Sequence, residues 1–326
     1  MVEVCEQVLK YNPVSIRDNY YNLGGDSIKS IQIVSRLRQR GYSLKVEHIL
    51  QYPVLEELAR YMTRDIAVID QSVVTGYSIL TPIQRYFFDS EELSDKNHYN
   101  QAVILKSNER LSGSILESSI KRLVEHHDAL RMVYSQKEGE WNQYNAGSEG
   151  HHYHFEYFDI REEGSFENEQ SSLQKIGDRL QSTINIESGI LFHIGHVSMS
   201  DGDRIILVIH HLVVDGVSWR ILLEDLGSLY ESGMKGVSYE LPSKTDSFQS
   251  WGAALKKYSN SSSLSQERLY WEGIESEIYP VIPTDYPAKG KHILDSSISF
   301  SLNESSTKLL QGVQVRNTVQ RLMMFY

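Results

Sequence analysis

The chain has 326 residues, which suits about two hydrophobic cores on the usual ~150-residue prior, and its 40% hydrophobic and 23% charged residues are those of a globular protein. Its net charge of −11 excludes a nucleic-acid partner, which needs a basic face, and its single cysteine, Cys5, excludes an intrachain disulfide and a cysteine zinc site. No apolar run approaches the ~18–20 residues of a membrane span and no signal peptide opens the chain, so no membrane partner and a cytoplasmic location are expected.

Val2, Val4, Val8 and Leu9 form a short helical stripe already running at residue 1, which reads as a first helix trimmed of its opening turns. Pro13 closes it. After a loop through Asn22 comes Leu23-Gly24-Gly25-Asp26-Ser27-Ile28, where two glycines permit a tight turn and Ser27 falls at a helix start. Ile28, Ile31, Val34 and Leu37 then mark one apolar helical face. Ser27 has two readings: a helix N-cap, or an uncovered hydroxyl carrying a phosphodiester that the helix dipole and free N–H groups stabilise. A third helix is expected from about Pro53 to Met62.

Residues 65–77 lack sustained periodicity and read as a linker. Leu80-Thr81-Pro82-Ile83-Gln84-Arg85-Tyr86-Phe87-Phe88 reads as a helix started by proline, with its aromatics in the core. A strand over Tyr99–Leu105, a helix over Ile115–His127 and a strand entered at Ala129–Tyr134 follow. His126-His127 at the helix end reads as a cap or solvated pair, and Arg131, with its planar fork, as the partner of a buried carboxylate. His151, His152 and His154 lack partners at metal-site spacing, so no metal site is expected. Glu162–Glu169 reads as a charged surface loop, Ser171–Ile184 as a helix and Leu191–Met199 as a strand.

The most specific stretch is Ile205 to Leu226. Five apolar residues, Ile205 to Ile209, predict a strand buried on both faces, which delivers His210 and His211 to a turn at Asp215-Gly216. Trp219, Leu222, Leu223, Leu226 and Leu229 then recur at helical spacing, with Trp219 expected as core. Successive strand residues face opposite ways, so one histidine braces the loop while the other meets a substrate. Aspartate before glycine is common in turns; Asp215 is expected in a structural ion pair with Arg131.

Two sets of motifs resemble nonribosomal peptide synthetases. Leu23-Gly24-Gly25-Asp26-Ser27-Ile28, with its helix and the later Tyr52-Pro53-Val54-Leu55-Glu56-Glu57-Leu58-Ala59, resembles a peptidyl carrier domain; Asp26 resembles carriers placed before epimerization domains. The Leu80–Phe88 segment, His126-His127-Asp128-Ala129-Leu130-Arg131 and His210-His211-x-x-x-Asp215-Gly216-Val217-Ser218-Trp219 resemble the epimerization branch of the condensation superfamily. The resemblance implies a small all-α carrier helical bundle (residues 1–64) joined by the linker to an α/β chloramphenicol-acetyltransferase-like domain (78–326). It assigns 4′-phosphopantetheine to Ser27 and catalysis to His211, with His210 and Asp215 in support. The implied reaction inverts the α-carbon of an aminoacyl or peptidyl thioester from L to D. Implied partners are an upstream adenylation domain, a downstream condensation domain and a phosphopantetheinyl transferase. Ser247–Tyr258, Tyr270-Trp271 and Pro283–Pro287 continue the match to about residue 310, with a strand over Ile298–Leu302 and a helix from Ser305. The family's Glu-Gly-His-Gly-Arg-Glu-like segment, which supplies a second catalytic group, is absent, so the second lobe is expected to be incomplete and the chain inactive by itself. Alternatives are a peptide-bond-forming condensation domain fragment, or a carrier and docking unit without catalysis.

Overall fold

Two separate sets of buried apolar residues build two cores. The structure, a computed structural model, describes residues 1–64, 69–90, 93, 95–276 and 300–309. Met1–Glu277 form one compact unit; in the second, Ile278–Tyr326, residues 304–309 are helical.

The first core is helical. Helices α1 (Val2–Leu9) and α2 (Ser27–Gln39) turn Val4, Cys5, Ile33 and Leu37 inward, because these positions recur every three or four residues. The single helix expected over Pro53–Met62 is instead α4 (Leu55–Leu58) followed by a 3₁₀ turn, Ala59–Tyr61. A further helix, α3 (Val46–Gln51), carries too little apolar periodicity to be read in advance: Ile49 is its one buried residue. Strand β1 (Tyr42–Ser43) pairs with β2 (Thr63–Arg64) and ties the end of this segment back to its middle.

The linker ends in structure. β3 (Gly76–Ser78) joins a three-stranded sheet, β3-β6-β5, with β5 at Met132–Lys137 and β6 at Glu140–Asn145. Against it lies α5 (Pro82–Asp89), started by Pro82 and by a capping box between Thr81 and Gln84 at the same end. Its motif glutamine is buried: Gln84 Nε2 donates to the Tyr134 hydroxyl and to Gln143 Oε1, both at 3.1 Å. The Tyr134 hydroxyl in turn reaches the Leu212 carbonyl at 3.4 Å, so the helix, the sheet and the loop after His211 are joined by polar contacts.

The main sheet has the order β4-β9-β8-β7, with β4 at Asn100–Ser107, β7 at His154–Asp159, β8 at Phe192–Met199 and β9 at Gly202–His210. Only the β7–β8 pair is parallel. Every residue of β8 and β9 is buried, as the apolar run Ile205–Ile209 predicts for a central strand. Helices α6 (Gly113–His126), α7 (Phe166–Ser182) and α8 (Gly216–Met234) complete this core. α7 begins five residues before the expected Ser171, because Ser165 caps it at Asn168 N, so the surface loop is shorter than expected. Glu169 is thereby buried, accepting from the Ser200 amide at 2.9 Å. Helices α9 (Phe248–Ser259) and α10 (Ser262–Ser276) follow, with Tyr270 and Trp271 exposed on α10. The expected strand over Ile298–Leu302 is not seen at residues 300–302; its first two residues, and Pro283–Pro287, lie outside the described residues.

Candidate active site

β9 ends at His210, and the chain bends there. His210 is fully buried, its Nε2 2.8 Å from the Lys96 carbonyl and the Phe87 ring edge-on at 5.8 Å. Burial pushes its imidazole down to about 4, so it is neutral near pH 7. His211 is exposed, with its backbone N–H on the Tyr99 carbonyl at 2.8 Å and its ring stacked on the Tyr99 ring at 5.3 Å. The alternation expected of a strand is therefore realised at its last step: one ring goes into the core, the next into a cavity.

That cavity, of about 500 Å³, is lined by Gln84, Tyr86, Phe87, Tyr99, Met132, His211, Asp215, Ser218 and Phe248 among others. His211 Nδ1 lies 2.7 Å from the Val214 carbonyl, which can only accept, so Nδ1 carries the proton. Its Nε2 lies 3.1 Å from Gln101 Nε2. Gln101 was invisible to motif reading, since it stands on a different strand and matches no chemical pattern. Only the β4–β9 register, which sets Gln101 opposite Ile209, brings it to the site. Trp219, expected simply as core, is buried but also donates its indole N–H to Gln101 Oε1 at 2.8 Å.

The expected ion pair between Asp215 and Arg131 is not formed. Asp215 is the N-cap of α8, accepting from Val217 N at 3.0 Å and from Ser218 N and Oγ at 2.7 Å. Burial pushes its carboxyl up, but these hydrogen bonds from Ser218 and Val217 outweigh it and hold the group below the usual carboxylate range. Arg131 is fully buried beneath the end of α6, donating to the carbonyls of Val124 at 2.6 Å, Glu125 at 2.8 Å and Ala146 at 3.3 Å. The last carbonyls of a helix have no partner within it, and that need wins the guanidinium.

His127 Nε2 lies 2.8 Å from Asp225 of α8. His126 is half-buried, and burial lowers it to about 4. Both line a second cavity, of about 210 Å³, between α2 and α8, where Arg36 meets Glu224. His152 bonds the Glu149 carbonyl and His154 approaches Glu156. Among the described residues no group of three or more His, Cys, Asp or Glu side chains is placed to hold a metal ion, and no helix is long and apolar enough to cross a membrane.

Ser27 is the first residue of α2, exposed, and its hydroxyl makes no hydrogen bond among the described residues. The cap is Asp26, which accepts from Ile28 N at 2.9 Å and Lys29 N at 2.7 Å. Those amides are therefore not free to hold a phosphate, contrary to the expectation of free N–H groups at this helix start; a nearby cation is Lys29, 3.7 Å from Asp26 and 2.6 Å from the Gly24 carbonyl. Gly25 is required by close approach, since a Cβ there would meet the Tyr20 ring at 2.5 Å. Tyr20 in turn donates to the Asp26 carbonyl at 2.6 Å and sets the turn that presents Ser27. An uncovered hydroxyl on a braced turn fits a phosphopantetheine attachment.

Together these features define a small helical carrier-type domain followed by an α/β domain with a histidine at its cavity. Residues 1–62 match the family described as a phosphopantetheine attachment site, and residues 74–326 match the condensation domain. The chain belongs to the condensation domain family and carries the phosphopantetheine attachment domain ahead of it. It is 39% identical over 311 residues to tyrocidine synthase 2 of Brevibacillus parabrevis (94% of this chain, 8% of that protein). It is 36% identical over 322 residues to tyrocidine synthase 1 of the same organism (98% of this chain, 29% of that protein). Among solved structures it is similar to the epimerization domain from the third module of tyrocidine synthetase B, with TM-score 0.63 and 40% identity, covering 67% of this chain and 49% of that one. The first condensation domain of the CDA synthetase shares the fold, with TM-score 0.52, 19% identity and coverage of 62% and 50%. The chain thus spans about half of these solved domains and less than a third of the curated relatives.

Proposed function

We propose that this chain is the carrier and epimerization part of a nonribosomal peptide synthetase, inverting the α-carbon of an aminoacyl or peptidyl thioester from L to D. The observation that carries the reading is the His211 ring, which lines an apolar-walled cavity with its Nδ1 on the Val214 carbonyl, in a domain 40% identical to an epimerization domain. Ser27 holds 4′-phosphopantetheine, which supplies a flexible thiol arm bearing the substrate as a thioester whose carbonyl acidifies the α-carbon. His211 Nε2 takes the α-proton or returns it, as an imidazole does near neutral pH. His210 braces the bend as a buried neutral ring, and Asp215 holds the loop by capping α8; Arg131 supports the end of α6.

In this reading residues 1–64 are the carrier, 65–77 the linker and 78–326 a chloramphenicol-acetyltransferase-like lobe in the cytoplasm. An upstream adenylation domain loads it, a downstream condensation domain consumes its product, and a phosphopantetheinyl transferase modifies Ser27. Inversion needs a proton route on each face of the α-carbon, and among the described residues one histidine, His211, lines this cavity. The second group therefore comes from outside them.

The chain incubated with a phosphopantetheinyl transferase and coenzyme A gains the phosphopantetheine mass, and Ser27→Ala does not; a Ser27→Ala chain that still gains it removes Ser27. Within a full-length synthetase loaded with L-phenylalanine, this part yields the D form. Loss of that conversion in His211→Ala of the same synthetase, with loading intact, supports the base role. Amide-bond formation is the second reading, favoured by the match to the condensation domain family. A peptide formed on adding a second loaded carrier would establish it.

A further inference from the structure

His211 is held at both ring nitrogens, and the second hold has a direction. The Trp219 indole N–H can only donate, so Gln101 turns Oε1 toward it (2.8 Å) and its amide nitrogen toward His211 Nε2 (3.1 Å). That nitrogen is itself a donor. His211 Nε2 must therefore accept, which agrees with Nδ1 donating to the Val214 carbonyl at 2.7 Å. Gln101 and Trp219 come from β4 and α8, packed on either side of the bend, and both rest on buried or half-buried positions.

We propose that Gln101, aimed by Trp219, is a positioning residue that keeps His211 Nε2 unprotonated in the resting site, its N–H leaving the single Nε2 lone pair when the substrate's α-hydrogen takes that place. It also opposes keeping a proton there. When Nε2 gains a proton, two donors face each other; turning the amide relieves this but sets its NH₂ against the indole N–H. Either way one hydrogen bond is lost, so a captured proton is returned readily, which suits a group that must pass protons in both directions. The proposal rests on the inversion reading, in which His211 moves the α-proton.

Among the described residues, the other titratable groups facing this ring are Asp215 at the start of α8, Tyr99 before β4, Tyr86 on α5 and His210 on β9. None of them changes in the variants that test the proposal. The His211 ring of the 326-residue chain is followed by histidine-selective NMR from pH 5 to 9, its signal assigned by loss in His211→Gln. In Gln101→Glu the carboxylate accepts from both neighbours, and the midpoint for ring protonation moves up by about one unit or more, the size of one hydrogen bond gained. Gln101→Leu moves it up in the natural chain. In a Trp219→Phe chain the amide is free to offer Oε1 to the protonated ring, so there Gln101→Leu moves the midpoint down. That change of sign is the signature of an aimed amide, and packing alone does not produce it. The same sign in both backgrounds overturns the proposal, as does an unmoved midpoint in Gln101→Glu, which decides the matter even if Trp219→Phe does not fold. The titration needs no turnover, so its failure removes Gln101 and leaves the inversion reading. Inversion that survives His211→Ala in a full-length synthetase removes the inversion reading instead.

Discussion

Arg131 shows how a residue in a catalytic-looking motif works entirely through structure. Its guanidinium is buried without a carboxylate in contact, and burial lowers its affinity for its proton despite the charges of Asp128 and Glu125. It occupies that position because three carbonyls need donors there. Arg131→Met takes this donor from the buried carbonyl of Val124 and the part-buried carbonyls of Glu125 and Ala146, and is expected to cost about 1–3 kcal/mol in urea unfolding. The His211 NMR titration stays unchanged in the protein that remains folded. A shifted titration with unchanged stability would return Arg131 to the histidine site. Cys5 is a related case: burial pushes its thiol up to about 11, so it behaves as a small apolar core residue and not as a nucleophile.

At the scale of elements, both motif aspartates do the same work. Asp26 caps α2 and Asp215 caps α8, each through two backbone amides, so each motif's polar residue sets where a helix begins and how the adjacent serine or histidine is presented. The two helices also meet. Arg36 of α2 pairs with Glu224 of α8, and Arg38 with Asp246, across the small cavity lined by His126 and His127. Such exposed pairs contribute only about 0.2–1 kcal/mol each, so they select an orientation more than they stabilise the fold. Arg36→Glu is expected to loosen α2 from α8, raising amide hydrogen exchange along both contacting faces while the unfolding midpoint stays nearly constant. The Arg36→Glu/Glu224→Arg double variant restores protection. Unchanged exchange in the single variant would show that the pair does not hold the helices together. The helix start at Pro82 was readable because proline chemistry is local, whereas the Asp215 cap was read as a turn and an ion pair; α3 was not readable, because its packing depends on a single isoleucine.

For the molecule as a whole, the buried histidines of the main sheet set a pH limit. His210 and His193 are buried, and burial holds each near about 4 against an ordinary value of 6.5. Between those values the unfolded chain binds more protons than the folded one. Stability is therefore greatest above pH 6.5, falls as pH drops through the window, and carries the full penalty below about 4. The loss is on the order of 2 kcal/mol per histidine by pH 5. The urea midpoint should drop between pH 7 and pH 5, and a His193→Gln chain should show a flatter dependence over the same range. An equally steep fall in that variant would move the origin of the effect elsewhere.

The amino-acid sequence by itself determined the two-part organisation, the buried strand ending in paired histidines and the serine at the start of α2. Each of these is written in local periodicity, capping or a short contiguous motif, and such patterns survive in one dimension. Only the tertiary structure decided who partners whom. The register of β4 on β9 brought Gln101 to His211, the unpaired end of α6 drew Arg131 away from Asp215, and the packing of α8 turned Trp219 into a donor. The contacts of Gln101 with His211 and Trp219 join residues more than a hundred positions apart, while those of Arg131 are near in sequence but set by the end of a helix; polar side chains choose among such partners by geometry and burial, which spacing along the chain does not encode.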